Sequence, residues 1–472
     1  MTRLTKSKWL VALLLVFSTT SLTAQTAYKL SVEDAVNLAL KNVTEVKNLR
    51  IDSMKQLAQN REIVAGALPQ INGTGQVTHY LTLPLILFPS AGSTDIYRVL
   101  NQEGVRDGNG QPIAAKQEFA VNKFSFVQPW NVSAGVGLNQ LLFQPDVFVG
   151  LIARKTSMEY AKENIAVAED KIREQVQKAY YQVLIAEEQL KVLLQTLQRL
   201  QKLVTDQEQL FKNGFIEKLD IDKTNVSFNN TKATETQLKN IIELGYASLK
   251  FTLGLAQNDQ LELKDKLSPE LVKQNVLDEG TFDYNSRSEI RLLNNVQKLQ
   301  QLDVKRNKLA YLPTLSFFYQ FQQQGIANKN YSSLLGSNWF WFNSNLVGLN
   351  MSVPLFDFGV KKNKIQQARY TLEKTNNIID NTRKAIDFEK NAAQISLRNA
   401  IINMDAQQKN LELAERVYNT TKKKYEQGVG SNSEVLLAET ELQRAQGNYF
   451  DALYQAVIAK ISYLKASGKI QQ

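Results

Sequence analysis

The sequence predicts a mainly α-helical protein with a membrane β portion, built as two structural repeats, each a two-stranded β-hairpin plus long coiled-coil helices. Three observations predict it. The chain says nearly the same thing twice: Leu68-Pro69-Gln70-Ile71 recurs as Leu312-Pro313-Thr314-Leu315, and Phe211-Lys212-Asn213-Gly214-Phe215 recurs as Tyr425-Glu426-Gln427-Gly428-Val429. Four segments alternate apolar and polar residues with a period of two. Long stretches without proline carry sustained heptads.

Composition bounds the chemistry. The chain has 472 residues with only 9 prolines and 22 glycines, which favours long uninterrupted elements. It has no cysteine, which excludes disulfides, thiolate metal sites and thiol nucleophiles. The single histidine, His79, lies in an alternating segment and reads as a strand residue. No catalytic residue, metal site or cofactor is expected, so the chain is not read as an enzyme. The net charge of +10 is scattered and forms no basic cluster with interleaved aromatics, so no nucleic-acid partner is expected.

Residues 1–24 read as an export signal. Arg3, Lys6 and Lys8 precede an apolar run from Trp9 to Phe17, about half the length needed to span a bilayer, followed by small residues to Ala24. The first repeat is expected over 28–254, starting with a lead-in helix that Ser31 caps with Asp34 three residues on. Strands at about 69–80 and 122–143 follow, then helices at about 146–212 and 217–253. A crossover at 255–285 breaks the period. The second repeat, 286–468, carries a lead-in helix, strands at about 313–323 and 343–356, and helices at about 360–426 and 432–467.

In the strands Val132, Ala134, Val136 and Leu138 share one face, as do Val347, Leu349, Met351 and Val353. Alternation of this kind fits a sheet on a soluble core or a membrane barrel. The export signal, the long connections within each strand pair and the interface aromatics Trp130, Trp339 and Trp341 favour the barrel. Four strands cannot close one, because a barrel needs about eight, and open edges do not survive in lipid. Three copies give a 12-stranded barrel with room for a channel, so a cyclic homotrimer in membrane lipid is the simplest arrangement.

The long helices repeat apolar residues by threes and fours: Ile172, Val176, Val183, Leu197, Leu200 and Val204 in the first copy, Ile386, Leu397, Met404 and Tyr418 in the second. A heptad seam demands partner helices. The polar remainder leaves both sides of the helical layer wet, as in a tube. A stand-alone coiled coil gives the same periodicity.

The order of these elements resembles the TolC-type outer-membrane efflux proteins (outer membrane factors) of Gram-negative bacteria. The resemblance rests on Leu30-Ser31-Val32-Glu33-Asp34-Ala35-Val36, on the paired Leu-Pro motifs, on Val353-Pro354-Leu355-Phe356-Asp357-Phe358-Gly359, and on the tip Tyr425-x-x-Gly428-Val429-Gly430-Ser431-x-x-Glu434-Val435-Leu436. It implies a trimeric 12-stranded β-barrel continuous with a 12-helix periplasmic α-barrel. It also implies a passive duct for efflux or type I secretion, fed by a periplasmic adaptor (membrane fusion protein) and an inner-membrane RND or ABC transporter. By the resemblance, Glu434 and its first-repeat counterpart Asp220 are pore-constriction candidates, and Tyr425 matches an aromatic latch. The second acidic position of the family falls on Leu437 and a basic latch position on Gly430. A carboxylate in a helix's first turn is also favoured by the helix dipole, which is the other reading of Glu434 and Asp220. The hairpin tips, with Gly214, Phe215, Gly428, Val429 and Gly430, are the expected adaptor contacts. The competing reading is a structural coiled-coil envelope protein, which would need no duplicated strands.

Overall fold

A computed structural model describes residues 27–89, 91–113, 121–273, 282–327 and 339–471; the expected export signal, 1–24, lies outside these residues. The chain divides into two compact units. One comprises residues up to Ala58, Ala153–Gln301 and Ala368 onward; the other comprises Gln59–Ile152 and Leu302–Gln367.

The chain opens with a short strand, β1 (Ala27–Leu30), then α1 (Val32–Asn42) and α2 (Thr44–Ala67). Ser31 caps α1 in a capping box: its hydroxyl accepts from the Asp34 amide at 3.2 Å, and its own amide donates to the Asp34 carboxylate at 3.2 Å. The lead-in is therefore two helices preceded by a strand, not one helix. In the second unit come β2 (Gln70–His79), β3 (Ile86–Pro89), α3 (Ala91–Gln102), β4 (Val121–Phe124) and β5 (Trp130–Phe143). The long helix α4 (Pro145–Lys212) and its return α5 (Lys218–Leu253) complete the first repeat. The crossover holds β6 (Gln260–Leu263), α6 (Glu270–Lys273) and a 3-10 turn at Tyr284–Ser286. The second repeat runs α7 (Ser288–Leu309), β7 (Thr314–Ala327), β8 (Phe340–Ser352), α8 (Val360–Glu426) and α9 (Asn432–Ala466).

Several boundaries differ from the sequence expectation, each for a local reason. The segment 122–143 is not one strand, since Pro129 cannot donate to a ladder and β4 pairs with β3 instead. The connection 81–121 is therefore not wholly irregular. The last strand stops at Ser352 rather than 356: Pro354 follows, and Phe358 (φ 49°) and Gly359 (φ 87°) turn the chain into α8. The crossover adds β6 to β1 in parallel register, from Ala27 opposite Gln260 to Leu30 opposite Leu263. Four-residue strands whose partners lie far away in sequence leave no periodic signal.

Burial follows the heptads. Ile172, Val176, Val183, Leu197, Leu200 and Val204 of α4 are buried, as are Val435, Ala438, Leu442, Ala452 and Ala456 of α9. The Tyr180 hydroxyl of α4 fastens the small β1–β6 sheet, donating to the Leu30 carbonyl at 3.0 Å and accepting from the Asp265 amide at 3.3 Å. An ion network crosses the same unit. Arg287, nearly buried, reaches Glu289 and Glu389 at 3.0 Å each and donates to the Ala466 carbonyl at 3.1 Å. Lys465 contacts Glu174 at 2.9 Å.

In the second unit, β2-β5-β7-β8 form one antiparallel sheet in that order. The repeats meet at β5 and β7, leaving β2 and β8 as its edges. The register puts Ile71 beside Leu138, Tyr319 and Val347 on one face, and Val136 beside Phe321 on the same face. That face is largely apolar, interrupted by Gln140, Gln323, Asn343 and Asn345, and uncovered in the single chain, with Ile71 69% and Leu349 64% exposed.

Candidate functional site

Both helical hairpins turn on the same device. Helix α4 ends because Gly214 takes φ +77°, a left-handed conformation that costs a side-chain-bearing residue. The Gly214 amide donates to the Phe211 carbonyl and the Phe215 amide to Leu210, both at 2.9 Å, which satisfies the last carbonyls of the helix. In the second repeat Gly428 has φ +77°, its amide donates to Tyr425 at 2.9 Å, and that of Val429 to Lys424 at 3.0 Å. Phe215 and Val429 therefore protrude at matching places, 76% and 75% exposed. Gly430 has its own reason to be glycine, because a Cβ there would lie 3.0 Å from the Tyr425 amide nitrogen.

The return helices start differently. Ser431 caps α9, its hydroxyl accepting from the Glu434 amide at 3.2 Å, whereas Glu217 at the head of α5 makes no side-chain cap bond. The Glu434 residue is exposed and Leu437 stands out at 65% exposure. Asp220 is tied to the other repeat. The Asn432 side-chain amide donates to the Asp220 carbonyl at 3.0 Å and approaches its carboxylate at 3.4 Å. The Gln207 side chain of α4, fully buried, donates to the Asn432 oxygen at 2.7 Å. The structure thus joins Asp220 to the residue two places before Glu434. Tyr425 is not part of that cluster: it packs beside Tyr418, Val435, Ala438 and Leu442, and its buried hydroxyl finds no partner among the described residues.

Sequence reasoning missed two groups here. Gln207 and Asn432 sit at positions that the heptad fills with apolar residues, so a polar pair on opposite repeats was the available signal. The second group is Arg199, Glu439 and Tyr418. Arg199 bonds Glu439 at 3.1 Å and lies 5.5 Å from the Tyr418 ring centre. Burial raises the Glu439 carboxyl above its usual range although Arg199 opposes the shift, and burial pushes the Tyr418 hydroxyl up to about 12.

At one end of the sheet the predicted aromatics gather. Trp130 stacks on His79 at 4.0 Å, Trp339 lies 5.9 Å from Trp341, and Trp341 covers Gly325 of the neighbouring strand. A second group at the other end was not foreseen: Phe143 with Phe148 at 5.8 Å, and Phe356 with Phe358 at 4.5 Å, the last two 78% and 91% exposed. Between Trp130 and Phe143 run the twelve inner residues of β5, or roughly 40 Å of strand.

The family profile described as outer membrane efflux protein matches residues 126–255 and 295–469. The outer membrane protein TolC of Vibrio cholerae is 20% identical over 346 residues, 72% of this chain and 77% of its own length. The TolC of Salmonella enteritidis is 20% identical over 401 residues, 82% of this chain and 75% of its own. Among solved structures, CusC superposes with a TM-score of 0.68 at 16% identity, covering 93% of each chain. The outer membrane protein VceC from Vibrio cholerae gives 0.66 at 13% identity, covering 93% of this chain and 96% of its own.

Proposed function

The chain belongs to the outer membrane efflux protein family and to the bacterial outer membrane, and we propose that three copies form a passive export duct there. Each sheet contributes four strands to a twelve-stranded barrel. The helical hairpins make a twelve-helix tunnel into the periplasm. A periplasmic adaptor docks on the tips around Gly214, Phe215, Gly428, Val429 and Gly430. An inner-membrane RND or ABC transporter supplies the work, for efflux or for type I secretion.

The observation that carries this reading is incompleteness of one kind in both units. In the sheet, β2 and β8 each have a single neighbour among the described residues and the largely apolar face is bare. Among the helices, α8 keeps Phe388, Ile395 and Ile402 on a seven-residue repeat, 75%, 62% and 62% exposed. On α5, Leu244 and Phe251 stand in the same step, 72% and 81% exposed. A heptad stripe facing water wants another helix, and identical copies supply it for every chain at once when they close a ring.

Three Glu434 carboxylates meeting at a narrow wet tip repel anions and attract cations. In planar bilayers Glu434→Ala is expected to raise single-channel conductance and weaken block by multivalent cations. Unchanged currents would mean that this carboxylate only suits the helix N-terminus. Recovery of the protein as a water-soluble monomer from cell envelopes overturns the duct altogether.

A further inference from the structure

The face of the sheet opposite the apolar one is not uniform. The ladder register arranges it in five rungs across β2, β5, β7 and β8, from Gln70-Asn139-Phe318-Gly348 at one end to Thr78-Asn131-Ile326-Phe340 at the other. On the β2–β5 side every position is an amide, a hydroxyl or a glycine, among them Asn72, Thr74, Gln76, Ser133 and Asn139. On the β7–β8 side four of the five rungs carry an apolar residue: Phe318, Leu346, Phe342, and the pair Ile326 and Phe340. None of the four strands contains Asp, Glu, Lys or Arg.

The aromatic rings on this face are available. A Cβ added at Gly348 would come within 2.7 Å of the tip of the Phe318 ring, so the missing side chain at Gly348 is what makes room for that ring. Phe340 and Phe342 sit 6.1 Å apart with a 37° tilt, 67% and 38% exposed. Leu346 is 55% exposed. An exposed aromatic ring on a wall can stack with a flat apolar ligand, and neighbouring amides can satisfy the polar groups of whatever stacks there.

We propose that this face is a binding track for neutral amphiphilic molecules, aromatic ones above all, passing through the duct. The inference rests on the duct reading, which places this face toward the lumen. With no ionic side chain on the wall, cargo gains nothing there from its charge. It gains from an apolar side that meets the β7–β8 lane and a polar side that meets the β2–β5 lane.

The test uses the full-length trimer in planar bilayers with two uncharged probes, glucose and 4-nitrophenyl glucoside, which differ by one ring. The aromatic glycoside is expected to interrupt the current at about tenfold lower concentration than glucose, the gain from one aromatic contact. Phe342→Ala should erase most of that gap while open-channel conductance is kept. Phe342→Leu, which retains bulk and apolar character, tests the ring if the alanine variant does not assemble. Val347→Ala on the other face should leave the gap intact. Equal interruption by the two sugars, or a gap untouched by both Phe342 variants, overturns the track while leaving the duct standing. A trimer that carries no current overturns the duct and the track together.

Discussion

The two repeats spend the same plan in different surroundings. In the first, the long helix α4 is core, with Tyr180, Val183, Leu197 and Leu200 buried; in the second, its counterpart α8 leaves Phe388, Ile395 and Ile402 in water. The return helices reverse this: α9 is largely buried while α5 keeps Leu244 and Phe251 exposed. The strands obey the same rule, with β5 and β7 inside the sheet and β2 and β8 at its edges. In the strands and in the long helices alike, one member of each matched pair lies inside and the other at a boundary. That asymmetry within the chain is what the proposed ring of copies would require.

If α8 is a boundary, charging it should break the assembly and leave the chain folded. The double change Ile395→Glu and Ile402→Glu is expected to convert trimers to monomers by light scattering in detergent, the largest effect foreseen. The equivalent insult to the buried α4 positions Leu197 and Leu200 should unfold the helical unit instead, seen as lost helicity in circular dichroism. Monomeric and unfolded outcomes exchanged between the two would reverse the comparison.

The tips are where the repeats agree most. Val at Gly214 or at Gly428 forces a β-branched residue to φ +77°, at a cost of about 1–2 kcal/mol. Trimers should still assemble, with export lost for either variant, measured as cellular resistance to an exported compound. Export retained by one variant alone would show that the two tips dock differently.

Acidity separates two buried ionic groups. Burial pushes Glu289 up, but the Arg287 hydrogen bond and charge outweigh it and hold this carboxyl below its usual value. For Glu174, likewise, the hydrogen bonds from Lys178 and Lys465 outweigh burial. A depressed carboxyl contributes stability above its unfolded value, near pH 4.3, and loses it as pH falls through the folded value. Glu439 is raised by burial, so its contribution is fully present below the unfolded value and fades as pH rises through the folded one. Protection factors, that is exchange corrected for its intrinsic pH dependence, are therefore expected to fall around Glu289 only below about pH 4. Around Glu439 they should be lower at pH 7 than at pH 5. Parallel changes at both places would sink the distinction.

The smallest effect lies in the caps. Ser431→Ala should cost about 1 kcal/mol, and Glu217→Ser in the uncapped repeat should gain a similar amount, read from local amide exchange in the first turns of α9 and α5.

Much of this fold was legible before any coordinates. The long helices follow from heptads that no proline interrupts, and the turns at Gly214 and Gly428 from a residue that alone accepts a left-handed backbone cheaply. The strand faces follow from period-two alternation, and the tip candidates from a motif repeated at a fixed offset. The β1–β6 pairing, the β3–β4 ladder and the Asn432–Gln207–Asp220 link were not legible. Each joins residues through space with too few positions to set up a period.

By itself, then, the sequence determined the long helices and the four long strands and which face of each is apolar, because those are short-range consequences of side-chain spacing. Only the tertiary structure decided which apolar stripe is spent inside the chain and which is left for a partner. Burial depends on what arrives at a surface, and a helix with apolar residues on two sides cannot say which will be covered first.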